Sequence, residues 1–216
     1  MKARFFGFVL TSLLLAGCAA QKPHDRVTPD SLSPTDWVAL SKPGAEHKLL
    51  NMFVGEWEVK VSSWSDPKAP PHISPGYARS KWILGSRFVE ERFDGLAEGV
   101  PYKGRGIIGY DAGAKEFTSV WMDSLNTSIA LSRGEFDADD RTYQLIGQIY
   151  DPLLGREKET LTEIHILSPD EYEITMLSVA PSGKRFRSLA LNYRRAKEAA
   201  LVQKAEGSAG RENAKK

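Results

Sequence analysis

The residues with the most recognisable chemical spacing are the glycines of the segment GRGIIG at 104–109. The spacing matches the G-x-G-x-x-G motif, in which the last glycine opens a helix whose N-terminus faces a pyrophosphate. Here the segment 110–113 reads YDAG, which predicts a turn followed by another strand. We therefore interpret the motif as a glycine-rich strand that bends or allows a close approach, and we do not expect a nucleotide site.

A second candidate catalytic motif is SDPK at 65–68, which has the S-x-x-K spacing of penicillin-recognising enzymes. That chemistry needs the serine to begin a helix so that the lysine falls one turn away, and a proline between them in a loop prevents it. The four histidines are His24, His47, His72 and His165. No pair has metal-ligand spacing on one element, so no metal and no cofactor is expected. Since Ile164 and Ile166 form a core-facing pair in a predicted strand, His165 is expected on the surface.

Paired carboxylates give a weak indication of catalysis. Glu90 and Glu91 point to opposite faces of a predicted strand, so they cannot act as one dyad. Asp123, and Glu90 with Arg92 if these two point inward, would form a polar patch in an interior cavity. Such a patch would be either a structural ion pair or an arginine that binds a ligand carboxylate. No triad is visible, so an enzyme is not favoured; a strongly shifted carboxylate or histidine in a cleft would indicate one.

The N-terminus predicts export and lipid anchoring. Lys2 and Arg4 precede an apolar run from 5 to 16 that is too short to span a bilayer but suits a signal peptide. The segment LAGC at 15–18 resembles the lipobox of bacterial lipoproteins, and Cys18 is the single cysteine of the chain. We expect a signal peptide at 1–17, lipidation of Cys18, and a proline-rich tether over 18–42. Ala19, where the resemblance would place aspartate for inner-membrane retention, points to the outer membrane facing the periplasm.

The composition sets further limits. Twenty-nine Lys and Arg residues balance 28 Asp and Glu residues, which argues against a nucleic-acid partner. A short helix is predicted from Ala45 to Phe53 with Leu49, Leu50 and Phe53 on one side. The segment 196–216 is a charged tail, predicted to be partly helical or disordered.

The middle of the chain predicts antiparallel β-structure. Short runs of aromatic and β-branched residues alternate with clusters of Gly, Pro, Asp and Asn, including turns at 111–114, 137–140 and 181–183. The predicted strands are 55–65, 77–84, 86–94, 103–110, 115–124, 127–136, 141–150, 156–167, 171–180 and 184–194. Without helix-length amphipathic runs between them, they favour a closed barrel or a sandwich.

Alternation along the strands places large aromatic residues beside small or polar ones. Trp57, Val59 and Val61 share one face, and so do Trp82 with Ser80 and Trp121 with Ser119 and Asp123. A solid core would favour continuous Leu, Ile and Val, whereas a mixed lining is typical of a barrel with a ligand cavity. The alternative is that these tryptophans fill a small barrel.

Several strings of residues, in order, carry a family resemblance. These are 49–57 with Gly55-Glu56-Trp57, KWILGSRF at 81–88, Gly106 with GYD at 109–111, and WMDS at 121–124. In this order they resemble the bacterial domain-of-unknown-function 1579 family over roughly 43–195. The resemblance implies one up-and-down calycin (lipocalin-like) β-barrel of about ten strands and no established activity. In such barrels the tryptophan of the first strand closes one end beneath a basic residue from the last strand, here Arg194 or Arg195. Ser86 departs from the pattern, which has glycine there.

Together these features predict an all-β envelope lipoprotein that binds a small hydrophobic ligand. Trp82, Trp121, Asp123, Glu90 and Arg92 are the candidate ligand-binding residues, and Trp57, Arg194 and Arg195 are the candidates for barrel closure. The alternative is a non-enzymatic structural or interaction lipoprotein with a filled barrel. The membrane, reached through the N-terminal lipid, is the expected partner in either case.

Overall fold

The computed structural model describes residues 34–151, 155–179 and 183–197. The predicted signal peptide, Cys18, most of the predicted tether and nearly all of the tail lie outside these residues, as do Pro181 and Ser182 of one predicted turn. The elements are two short helices, α1 (Pro34–Leu40) and α2 (Ala45–Leu49), a 3₁₀ turn (Leu50–Phe53), and ten strands. The strands are β1 (Gly55–Ser63), β2 (His72–Ile83), β3 (Phe88–Ala97), β4 (Val100–Asp111), β5 (Glu116–Asp123), β6 (Ala130–Asp137), β7 (Thr142–Asp151), β8 (Arg156–Ser168), β9 (Glu171–Val179) and β10 (Arg185–Arg195).

The strands form one closed antiparallel barrel. Each strand pairs with the next along the chain, and β10 pairs with β1 to complete the ring. The closing register joins Trp57 to Arg195 at one end and Ser63 to Leu189 at the other. The predicted up-and-down barrel is therefore confirmed, and the sandwich is not formed. Closure removes the unpaired strand edges that would otherwise invite aggregation.

The predicted alternation between interior and exterior is also confirmed. Trp57, Val59, Ala78 and Phe117 are buried, while the residues next to them on the same strands face outward or are less buried. Side chains of an extended chain alternate between its two faces, so a strand with one apolar face buries that face in the folded barrel.

One end of the barrel is closed by the N-terminal segment. The chain enters β1 through α2 and the 3₁₀ turn, which place Leu50 and Phe53 in the core at 0% and 5% exposure. The predicted single helix is thus an α-helix that tightens into a 3₁₀ turn, and the tightening turns Leu49 outward, against the prediction that it packs with the other two. We call this the capped end. Interior side chains near it, such as Tyr172, are fully buried.

The opposite end is less covered and is called the open end below. Interior-facing Val61, Trp121 and Leu191 are half-buried there. Helix α1 lies within the segment predicted as tether, so at least seven of those residues are helical. In the described part of the chain, no helix has the length and apolar character needed to cross a bilayer.

Strand β2 and the turn after it show two local features with clear causes. Strand β2 begins at His72 rather than at 77, because Pro75 is accommodated opposite Lys60 on β1. The turn between β2 and β3 holds Leu84, Gly85 and Ser86 at φ +50°, +67° and +61°, in the left-handed region. Glycine is the residue that adopts this region without steric cost, which fits the expectation of glycine at the position where this chain has Ser86.

Candidate functional site

Trp57 lies at the centre of the capped end. It is fully buried, and its indole Nε1 donates a hydrogen bond of 2.9 Å to the carbonyl oxygen of Phe53. Its ring meets Tyr172 edge-on at 4.8 Å between centroids, and Tyr172 stacks on Tyr193 at 4.3 Å. These contacts connect the 3₁₀ turn, β1, β9 and β10, so one side chain ties the cap to both sides of the barrel closure.

Arg195 covers the outer side of this tryptophan. Its guanidinium carbon lies 4.3 Å from the centroid of the Trp57 ring, a cation–π distance. Arg195 also donates hydrogen bonds to the carbonyl oxygens of Val54 and Pro169 and pairs with Asp170. Arg194 points outward and pairs with Glu171. Of the two arginines proposed from sequence, Arg195 therefore makes the contact.

The glycines of β4 make room for Trp121. A Cβ added to Gly104 would lie 2.1 Å from the indole of Trp121, and one added to Gly106 would lie 2.9 Å from it. The indole therefore lies flat across the β4 backbone, and its Nε1 donates to the hydroxyl of Tyr102 at 3.0 Å. The prediction of a glycine-rich strand that permits a close approach fits this arrangement, and the approaching group is a side chain of the same barrel.

A small cavity lies inside the barrel between the cap and Trp121. Its volume is about 90 Å³. Its walls are mostly apolar, formed by Phe53, Val89, Ile108, Trp121, Ile164, Tyr172 and Ile174. The polar side chains that reach it are those of Ser80, Glu91 and Ser119. The interior is therefore an apolar space with few polar groups, which is the usual character of a small-molecule site.

Glu91 is the ionisable group of this cavity. It lies on β3 between the buried residues Val89 and Phe93, and it pairs with Ser80 on β2 and Gly106 on β4. The hydroxyl of Tyr193 donates to its Oε1 at 3.0 Å, and the hydroxyl of Ser80 donates to its Oε2 at 3.3 Å. Its side chain borders the cavity.

The surroundings of Glu91 favour its neutral form. Desolvation by burial raises the pKa of the Glu91 carboxyl from 4.5 to about 7, although the hydrogen bonds from Tyr193 and Ser80 lower it and offset part of the rise. Burial likewise raises the pKa of Tyr102 to about 12 and holds that of Tyr193 well above its ordinary value. At neutral pH the cavity thus contains a carboxyl group poised between its two protonation states.

The structure corrects the sequence prediction for Glu90 and Arg92. Both lie on the outer face of β3. There the Glu90 carboxylate forms salt bridges with Arg92, at 3.5 Å between Nε and Oε2, and with Arg105, at 3.2 Å between Nη1 and Oε1. They therefore form a surface ion-pair group and do not face the interior. The inward carboxylate is Glu91, because the face that it shares with Val89 and Phe93 is the buried one.

Of the three remaining candidate ligand-binding residues, one lines the cavity and two do not. Trp121 lines the cavity. Trp82 faces inward at the capped end, where its Nε1 donates to Asn51 at 2.8 Å, and it does not line the cavity. Asp123 accepts hydrogen bonds from the backbone N–H groups of Leu125 and Asn126, so it stabilises the turn after β5 and does not line the cavity either.

One local signal in the sequence favours Glu91 over Glu90 as the inward residue. Glu91 is flanked at i−2 and i+2 by Val89 and Phe93, whereas Glu90 has one apolar flank, Phe88. The contact with Tyr193 spans 102 positions of sequence and carries no local signal.

The structure also places His165 and the SDPK segment. His165 is exposed between the buried Ile164 and Ile166, and its Nδ1 lies 2.7 Å from the hydroxyl oxygen of Thr142. Lys68 lies in a loop where its backbone N–H donates to the side chain of Asp66, so the S-x-x-K spacing is not helical. Within the described ranges, no group of three or more His, Cys, Asp or Glu side chains is placed to hold a metal ion.

Fold and interior together define a closed ten-stranded antiparallel barrel, capped at one end and carrying a small internal cavity. Residues 42–195 match the family described as protein of unknown function, DUF1579. The chain therefore belongs to the DUF1579 family, as the resemblance predicted.

Solved barrels are similar to this chain at low identity. A de novo designed fluorescence-activating β-barrel is 19% identical over 68% of this chain and 95% of that chain, with a TM-score of 0.38. A structure of EF1p2_mFAP2b bound to DFHBI is 10% identical over 69% of this chain and 98% of that chain, with a TM-score of 0.37. No curated protein matches the chain. At these identities and scores, the likenesses carry no argument about what this chain binds.

Proposed function

We propose that this protein is a lipid-anchored envelope protein that binds a small molecule inside its barrel. The observation that carries the binding proposal is the apolar cavity that holds one buried carboxyl group, Glu91, within hydrogen-bonding reach of two hydroxyl groups. Burying a carboxyl group in an apolar interior is costly when some of its hydrogen-bonding positions have no partner. A ligand that engages the carboxyl group supplies a further partner.

The size of the cavity limits the ligand. A volume of about 90 Å³ is well below the roughly 300–1,000 Å³ of drug-sized pockets. It is nearer to the roughly 150 Å³ cavity that admits benzene in another protein. The proposed ligand is therefore a compact molecule with an apolar body and one polar group. A long acyl chain or a heme would require the aromatic side chains to move.

The binding proposal is tested by filling the cavity. Ser119 faces the cavity from β5, and Thr118 beside it faces outward. We expect intrinsic tryptophan fluorescence of the full chain to respond to a panel of small molecules, benzene, phenol and isobutanol among them. Ser119→Leu should abolish the response, while the matched control Thr118→Leu should retain it. No response to any compound, or an unchanged response in Ser119→Leu, would contradict the proposal.

The anchoring part rests on the LAGC segment at 15–18. We expect mass spectrometry of the mature protein to find its N-terminus at Cys18 with diacylglycerol and acyl groups attached. Cys18→Ala should leave the precursor uncleaved. A mature protein that begins elsewhere without lipid would overturn the anchoring proposal and would leave the binding proposal intact.

A second candidate function is a structural or interaction protein. It is favoured by the aromatic packing at the capped end, where Phe53, Trp57, Tyr143, Tyr172 and Tyr193 leave little free volume. Crosslinking in the envelope that recovers one stoichiometric protein partner, together with an unresponsive cavity, would decide for it.

A further inference from the structure

The charge environment of Glu91 specifies the ligand further. No lysine, arginine or histidine of the described residues lines the cavity. The titratable groups that face the carboxyl group are tyrosine hydroxyls: Tyr102 from β4, Tyr172 from β9 and Tyr193 from β10. From β2 it meets the hydroxyl of Ser80. The site thus holds one negative charge, when ionised, and no positive charge to balance it.

The carboxyl group also has unused capacity. A carboxylate offers about four lone-pair positions, and Tyr193 and Ser80 use two of them. The walls around it include the aromatic rings of Phe53, Trp121 and Tyr172. Aromatic faces attract cations, most strongly where water is excluded. Both features are complementary to a positive charge.

We propose that the cavity binds a small organic ammonium ion, whose charge pairs with the Glu91 carboxylate and whose carbon atoms contact the apolar walls. This inference rests on the proposed ligand-binding function and names the class of its ligand. A carboxylate ligand is disfavoured, because it would place a second negative charge beside Glu91 without a cation. A neutral alcohol of the same shape would fill the cavity but would gain no ion pair.

Binding of an ammonium ion should depend on pH, since the competent form is the ionised carboxylate. With a pKa of about 7, Glu91 is about one-tenth ionised at pH 6 and about nine-tenths ionised at pH 8. Apparent affinity scales with the competent fraction. Ammonium binding should therefore strengthen about tenfold from pH 6 to pH 8, while alcohol binding should show no such gain.

The test is calorimetric titration of the full chain with isobutylamine and with isobutanol, which have nearly the same shape. At pH 8 we expect isobutylamine to bind at least tenfold more tightly. Glu91→Gln should remove this advantage while isobutanol still binds. Glu90→Gln makes the same change on the outer face of the same strand, and it should behave as the wild type.

The outcomes separate the two proposals. If isobutanol binds and isobutylamine gains nothing, or if Glu91→Gln leaves the amine advantage intact, the ammonium proposal is overturned and cavity binding stands. If neither compound binds at either pH, cavity binding by compact molecules is overturned with it.

An independent feature concerns the open end of the barrel. All five hairpins that meet there expose large apolar side chains at or near their tips. We call this group the open rim; it consists of Ile73, Val100, Leu125, Ile129, Tyr150 and Val179, each 45–63% exposed. The turns of β4–β5 and β6–β7 at the capped end carry no large apolar residue. Leu84 of the β2–β3 turn, Leu167 next to the end of β8 and Leu49 of α2 are exposed apolar residues at the capped end.

A ring of exposed apolar residues on one end of a domain marks an interaction site. The chain outside the structure indicates the partner. Sixteen positions separate Cys18 from Pro34, where α1 begins, and such a segment spans at most about 55 Å. A ten-residue strand is about 33 Å long. An anchor at Cys18 therefore lets the open end reach the bilayer, although the chain enters the barrel at the capped end.

We infer that the open rim docks on the lipid surface to which the chain is anchored, so that the open end faces the membrane. This inference rests on the proposed anchor but not on the ligand. Tethering keeps the bilayer at high effective concentration, so a modest apolar contact suffices to orient the domain.

Nitroxide labels on the anchored protein test this orientation. In vesicles of phosphatidylethanolamine and phosphatidylglycerol, a label at Ile129→Cys should be reached by oxygen and shielded from a polar nickel complex. A label at Asp139→Cys, in a capped-end turn, should show the reverse. Vesicle-bound protein with equal accessibility at both positions overturns the docking and leaves the rim to a protein partner. Protein that does not bind vesicles overturns the anchor as well.

Discussion

Glu91 should make the stability of this protein fall as the pH rises through the neutral range. Its pKa is about 7 in the folded barrel against 4.5 in an unfolded chain. Between these values the folded state keeps a proton that the unfolded state has released, so stability decreases with rising pH. The contribution is fully present below pH 4.5 and lost above about pH 7. At about 1.4 kcal/mol per pH unit, the loss amounts to about 3 kcal/mol.

The measurement is urea unfolding followed by tryptophan fluorescence at pH 5, 6, 7 and 8. Because other carboxyl groups also titrate, the informative quantity is the difference in unfolding free energy between wild type and Glu91→Gln. That difference should shift by about 2.5 kcal/mol in favour of the glutamine variant between pH 5 and pH 8. Glu58→Gln makes the same change at an exposed outward position of β1 and serves as the control.

Tyr193→Phe sharpens the test. The hydroxyl of Tyr193 lowers the pKa of Glu91 by hydrogen bonding, so its removal should move the loss of stability to higher pH. A difference between wild type and Glu91→Gln that stays constant from pH 5 to pH 8 would refute the reasoning. It would mean that the carboxyl group is hydrated in the folded protein.

Three further predictions concern the capped end, the glycine strand and the β2–β3 turn. Arg195→Gln should lower the unfolding free energy by about 2 kcal/mol, because it loses the cation–π contact and two hydrogen bonds to backbone carbonyl oxygens. The control Arg194→Gln should lower it by about 0.5 kcal/mol or less in the same urea titration. Gly104→Ala should lower the unfolding free energy by about 1–3 kcal/mol, because the added methyl group displaces Trp121. The same substitution in a Trp121→Ala background should lower it much less. If the effects of the two substitutions are additive, the contact is contradicted. Ser86→Gly should stabilise the protein by about 1 kcal/mol by relieving its left-handed backbone, seen as a higher urea midpoint at unchanged slope; a lower midpoint would contradict this.

Much of the barrel could be predicted because its signal is local. Alternation along each strand depends on neighbours two positions away, so Trp57, Phe117 and Ile164 could be assigned to the interior from sequence. Where the alternation is ambiguous, the prediction fails. From the sequence, Glu90 and Arg92 are candidate interior residues on the condition that they point inward, and the buried face of β3 is the opposite one, which carries Val89 and Phe93.

The cap shows a different limit. The apolar residues of 45–53 fit a regular helix, but the chain must turn into β1 at Gly55, which has φ +140°. The resulting 3₁₀ turn places Leu50 and Phe53 inward and leaves Leu49 outside. The change from α-helix to 3₁₀ turn depends on where the barrel lies relative to the helix, and helical periodicity in the sequence does not predict it.

By itself, the sequence determined the strand succession, the interior tryptophans, the family and the expectation of a lipid at Cys18, because each of these is encoded in a contiguous segment. The tertiary structure decided which arginine covers Trp57 and which glutamate enters the cavity. Tyr193 meets Glu91 across 102 positions and Arg195 meets Val54 across 141. Contacts of this range come into being when β10 pairs with β1, so the closure of the barrel creates the site.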